Sequence, residues 1–131
     1  MSPVMRHERH YTIEQANAVR GWVAQRVHRI RDARTSLLEL GERVGAALAR
    51  LDPQLGGCYP GPEIARPLVE LSQAAGELEA VEIAIRDLER GLIDFPAIRG
   101  GEEIYLCWLL EEDEIRFWHE PGAGFSGRQP L

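Results

Sequence analysis

The spacing at which apolar side chains recur changes once along this chain, and that change limits the folds open to it. Up to about residue 90 they recur every three or four positions, and beyond it every second position. The first spacing gathers side chains on one face of an α-helix, the second on one face of a β-strand. The chain is therefore read as α+β: a long antiparallel helical hairpin followed by a three-stranded antiparallel β-meander. Its 131 residues suit one domain, 1–131, divided as helix 11–51, helix 62–90, β-meander 92–120 and irregular tail 121–131.

The first helix opens at Tyr11-Thr12-Ile13-Glu14-Gln15, where Thr12 and Gln15 have the spacing of a reciprocal capping box. A ladder follows at Ala16, Val23, Ile30, Leu37, Val44 and Leu51, with a second row at Val19, Arg26, Ala33, Leu40 and Ala47. Such a stripe must bury against another helix. Gly41 and Gly45 weaken the helix and leave a break near them open. Two prolines and three glycines make a loop of 52–61. The second stripe is Ile64, Leu68, Leu71, Ala75, Leu78, Val81, Ile85 and Leu88; Gly91 reads as its stop, with Arg86 and Arg90 well placed against the helix dipole.

In the meander, Pro96 marks Leu92–Ile98 as an edge strand, and Arg99-Gly100-Gly101 supplies a turn. Ile104, Leu106, Trp108 and Leu110 line one face of the next strand, and Tyr105, Cys107 and Leu109 the other. A third strand covers Glu114–Glu120. A sheet apolar on both faces needs cover on each, and one helical pair covers only one. A homodimer or higher oligomer is the expected remedy.

The net charge of −6 is unevenly spread: residues 1–34 carry +4 and the rest −10, with every basic residue an Arg. Such asymmetry suits pairing between copies of the chain. The N-terminus has no apolar run behind its charges, and no stretch has the roughly 18 apolar residues a membrane span needs, so a cytoplasmic protein without a secretory signal is expected. Cys58 and Cys107 show no ligand spacing and read as buried or idle reduced thiols. Arg20, Arg26, Arg29, Arg31 and Arg34 spread around the helix with only Trp22 as a stacking aromatic, which argues against nucleic acid.

The chemistry-bearing residues gather near the C-terminus. Asp94 interrupts an apolar strand, a costly place for a carboxylate unless a cation or donor meets it. His119 shares the parity of Ile115 and Phe117, Glu120 follows it, and Arg128 sits in a Gly-flanked tail able to fold back. Three roles are open to this set: a structural network with Arg128 on Asp94, a divalent-metal site (zinc or a similar ion) built from His119 with Asp94 or Glu120, or acid–base catalysis. Trp108 and Trp118 on neighbouring strands read as core more than as a ligand platform. His7-Glu8-Arg9-His10 precedes the helix cap and reads as a surface arm, with metal binding as the alternative.

The run Asp87-Leu88-Glu89-Arg90-Gly91-Leu92-Ile93-Asp94-Phe95-Pro96, then Glu103-Ile104-Tyr105-Leu106-Cys107-Trp108, Trp118-His119-Glu120 and Gly124-Phe125-Ser126-Gly127-Arg128 resembles a bacterial family of unassigned function, domain of unknown function 2203. Tyr11 to Asn17 adds to the likeness. The resemblance implies a small stand-alone protein and no activity, and it directs attention to Asp94, Trp108, His119, Glu120 and Arg128. Two functions are carried forward. One is an oligomeric structural or interaction protein. The other is a metal-binding protein or small metal-dependent enzyme with its site at His119, Asp94 and Glu120.

Overall fold

The computed structural model describes residues 4–49 and 61–131. The expectations placed on Leu51, Cys58 and most of the loop, and on the side chains of Val44 and Ala47, lie outside the described residues. Helix α1 spans Ile13–Ala49 and helix α2 Gly61–Ala80; strands β1 (Ala84–Asp87), β2 (Leu92–Arg99), β3 (Glu102–Leu109), β4 (Phe117–His119) and β5 (Gln129–Pro130) follow. They form one antiparallel sheet in the order β1-β2-β3-β4-β5.

The capping box forms: Thr12 Oγ1 accepts from the Gln15 amide at 3.1 Å, and Gln15 Oε1 accepts from the Thr12 amide at 3.0 Å. Helix α1 then continues unbroken past Gly41 and Gly45. Helix α2 runs back along it, since Arg26 pairs with Glu77, Arg29 with Glu70 and Arg43 with Glu63. Arg26 and Arg29 of the basic 1–34 segment thus meet acidic residues of their own chain.

Five strands replace the expected three. The second helix stops at Ala80 instead of residue 90, and Ala84–Asp87 pairs with β2 as the sheet edge. Val81, Ile83 and Ile85 also alternate with period two, so this stretch satisfies both patterns; pairing with β2 decides for the strand. Glu82, at φ 59°, turns the chain out of the helix. Arg86 and Arg90 consequently meet no helix dipole. Gly91 ends the turn after β1, at φ 73°, where an added Cβ would lie 2.8 Å from Leu110. The tail supplies β5, with Gln129 and Pro130 opposite Trp118 and Phe117. Strand β2, expected at an edge, lies inside the sheet.

The inner face carries Ile93, Phe95, Ala97, Ile104, Leu106 and Trp108, packed against Ala16, Val23, Val27 and Ile30 of α1 and Ala74 and Leu78 of α2. Trp108 is buried at 2 % exposure, and its indole N–H donates to the Glu112 carbonyl at 2.9 Å. The outer face carries Asp94, Tyr105, Cys107, Phe117 and His119, and the chain's own ends lie over it. Arg128 stacks above Phe117 at 4.1 Å, and His7 meets Tyr105 edge to face while bonding its hydroxyl at 2.8 Å. Cover that seemed to require a second copy is thus provided in part by the arm and the tail.

Two carboxylates pin the arm. Glu82 accepts from the Glu8 and Arg9 amides and the His7 ring. Glu103 accepts from the Arg6 and His7 amides and pairs with His10 at 2.8 Å. The Arg9 amide, with His7 and the Glu8 amide, holds the Glu82 carboxyl below its usual value. Burial pushes Glu103 upward, but the His10 ring and the two amides outweigh it and leave it lowered.

Trp108→Ala should destabilise the fold by about 3–5 kcal/mol, read as a lower denaturant midpoint; a midpoint barely moved would place the ring outside the core. The second expectation concerns pH. A lowered folded-state pKa contributes stability above the ordinary carboxyl range, and that stability disappears as pH falls through the folded values. Protection factors of the Arg6, His7 and Arg9 amides, taken against intrinsic exchange at the same pH, should fall below about pH 4, before the core opens. Protection that persists until global unfolding would refute this.

Candidate functional site

Strand register assembles the site. Asp94 stands directly opposite Cys107, and His119 opposite Tyr105, two residues along β3 from Cys107. Ala84 faces Asp94 from β1, which brings Arg86, two residues on, to the same side. Asp94 is fully buried and His119 is 4 % exposed. Burying a lone carboxylate costs several kcal/mol, so partners are required.

Both partners use the same oxygen. Asp94 Oδ2 accepts from Arg86 Nε at 2.9 Å and lies 2.9 Å from His119 Nε2. The other ring nitrogen, Nδ1, faces the Glu120 carbonyl at 2.8 Å. Both ring nitrogens are therefore engaged within the chain, one by a carbonyl and one by a carboxyl group. Asp94 Oδ1 is buried and, among the described residues, has no hydrogen-bond partner. Burial works against the Arg86 charge, but the bond to Asp94 and its negative charge, helped by Tyr105, raise the pKa of the guanidinium.

Asp94, Cys107 and His119 offer one ligand atom each, and these atoms lie within 4.8 Å of one another, all on buried residues. Burial first, and the Asp94 charge second, push the Cys107 thiol up to about 12 against the opposing pull of Arg128. Without an ion the sulfur therefore keeps its proton. Carboxylate, thiol and imidazole together are a donor set that suits zinc, which would displace that proton on binding.

The site differs from the sequence expectation in its membership. Asp94 and His119 come together as expected. Glu120 does not join them: its side chain is exposed beside Arg99, Glu102 and Trp118, and only its carbonyl reaches His119. Arg128 pairs with Glu112 at 2.6 Å and donates to the Cys107 carbonyl at 3.2 Å, leaving Asp94 to Arg86. Trp108 points into the core on the opposite face. Sequence reasoning missed Arg86, assigned to a helix end, and, although it read Cys107 as a buried or idle reduced thiol, it missed that residue's place beside Asp94 and His119. A two-residue turn at Gly100-Gly101, both at positive φ, pairs Arg99 with Glu102 and by simple counting sets Cys107 against Asp94.

Above the pair lies a basin of about 460 Å³ floored by Asp94, Tyr105 and His119, with Arg6, Arg86 and Arg90 at its rim and the tail at Gly122, Gly124 and Phe125 forming a wall. Gly122 (φ 84°) and Gly124 (φ 66°) take backbone conformations that side chains rarely allow. The His7 to His10 segment forms the expected arm and bonds to Glu82 and Glu103. No helix among the described residues is long and apolar enough to cross a membrane.

Residues 9–131 match the family model described as "Uncharacterized conserved protein (DUF2203)", and the chain belongs to that family. No curated protein and no solved structure matches it.

Proposed function

We propose that this DUF2203 protein binds a divalent transition ion, zinc in first place, through Asp94, Cys107 and His119. The observation that carries the reading is the convergence of three different ligand types within 4.8 Å on one buried patch. Two features support it further. Among the described residues Asp94 Oδ1 has no hydrogen-bond partner, and Arg86, half-exposed at the rim, has room to swing off the carboxylate when an ion takes over its charge. Three protein ligands leave a fourth position of a tetrahedral ion open, as in sites where an ion meets a substrate or water. Asp94 and His119 line the basin, so that position would face it.

Self-association is a second reading, favoured by the exposure of Leu38 on α1 and of Leu68 and Val69 on α2. Light scattering at a mass well above the 14.7 kDa of one chain, falling to that mass in Leu68→Glu, would support it; a monomer at high concentration would dismiss it.

Tag-free protein should contain stoichiometric zinc. Cobalt substitution should give a thiolate-to-cobalt charge-transfer band that Cys107→Ser abolishes, and His119→Ala should lower metal content. Glu120→Ala should keep both signals. Metal-free protein that takes up neither ion, or a Cys107→Ser variant that keeps the band, would overturn the assignment.

A further inference from the structure

We infer that the basin above the Asp94–Cys107–His119 cluster receives a small oxyanion, a phosphate or carboxylate group, held by Arg6, Arg86 and Arg90. The inference rests on the metal reading for the anion's innermost contact, and on the arginines for its charge. Three guanidiniums from three segments (the N-terminal arm, β1 and the turn that follows it) line one concavity, against the two carboxylates Asp87 and Asp94, on a chain whose net charge is −6. Convergent like charges repel, and an anion among them removes that repulsion.

Their existing partners leave them available. Among the described residues the Arg6 side chain has no acidic partner, although its backbone amide is fixed by Glu103 at 2.9 Å. Arg90 touches Asp87 only at 3.7 Å and lies over the Phe125 ring at 5.2 Å. Arg86 spends Nε on Asp94 and its guanidinium lies over the Tyr105 ring at 5.1 Å, and among the described residues its two terminal nitrogens make no ion pair. These contrast with Arg26 and Arg128, whose carboxylate contacts are 2.7 Å and 2.6 Å. The planar guanidinium fork matches the paired oxygens of carboxylates and phosphates.

The floor selects further. Asp94 would repel a bare anion, but its charge is already met by Arg86 and His119, and an ion would meet it more fully. An ion on Asp94 also releases Arg86 toward the ligand. Metal and anion should then strengthen each other's binding, since each favours the same displaced arginine. The volume of about 460 Å³ fits a small molecule, with Phe125, Leu92 and Tyr105 offering apolar surface to its body.

The test is calorimetric titration of zinc-loaded and chelator-treated protein with inorganic phosphate and, separately, with succinate at constant ionic strength. At least one should bind, more tightly in the zinc-loaded form. Arg6→Gln and Arg90→Gln, both at exposed positions, should each weaken binding about tenfold or more while zinc content stays unchanged. Phosphate alone identifies a phosphoryl ligand, succinate alone a carboxylate, and both together an unselective oxyanion site. Binding without zinc that both variants lose would keep the anion site and remove the metal from it. Failure of both probes, or affinities indifferent to both variants, would overturn the inference even where zinc is bound.

Discussion

The outer half of this structure is organised by one buried negative charge. Asp94 sits on an inner strand with no exposure, where an unmatched carboxylate would cost several kcal/mol. Arg86 and His119 meet it from the strands to either side of the β2–β3 pair, both at 2.9 Å and both on Oδ2. A charge in the middle of a sheet therefore fixes what its neighbours present: β1 must deliver a cation, and β4 a ring held by the Glu120 carbonyl. The apolar face beneath imposes no such requirement, because Phe95, Leu106 and Trp108 need only volume and shape.

The two faces also differ in how they are closed. Helices cover the inner face with a stripe of small and branched side chains, whereas the outer face is closed by the two chain ends. The arm is held by hydrogen bonds to Glu82 and Glu103, and the tail by Arg128 on Glu112 and the Cys107 carbonyl. Polar attachments of this kind are weaker and more sensitive to conditions than a packed core. Placing the polar cluster under such cover keeps it reachable without opening the helical layer.

What could be read in the sequence follows the same division. The Thr12–Gln15 cap and the order of helices before strands each depend on residues close in sequence and are present, but the change of period comes about ten residues earlier than read, and Leu68 and Ala75 of the second stripe are exposed while Ala74 is buried. The end of α2 was ambiguous because Val81 and Ile85 fit both repeats, with Leu88 continuing the helical one and Ile83 the alternating one, and only the partner strand decides between them. Asp94 was legible as an anomaly, and His119 by parity. Arg86 was not, because its role needs a strand where a helix was read. Cys107 was within reach of the Gly100-Gly101 turn, but a thiol without ligand spacing gives no local signal. The two-residue strand Gln129–Pro130 has no periodicity to find.

The same carboxylate can be balanced in two ways, and they differ in what they leave free. With Arg86 and His119 on Oδ2, both ring nitrogens are engaged, Oδ1 is idle, and Cys107 keeps its proton. An ion among the three ligands would instead take up Oδ1 or Oδ2, the thiolate and a ring nitrogen, and would return a cationic side chain to the rim of the basin. In the first arrangement Arg86 is tied to Asp94 through Nε and both His119 ring nitrogens have partners within the chain. The second frees the Arg86 guanidinium, whose place at Asp94 the ion has taken, to meet an anion in the basin. A site able to pass between them would couple an ion below to an oxyanion above through the single movement of Arg86.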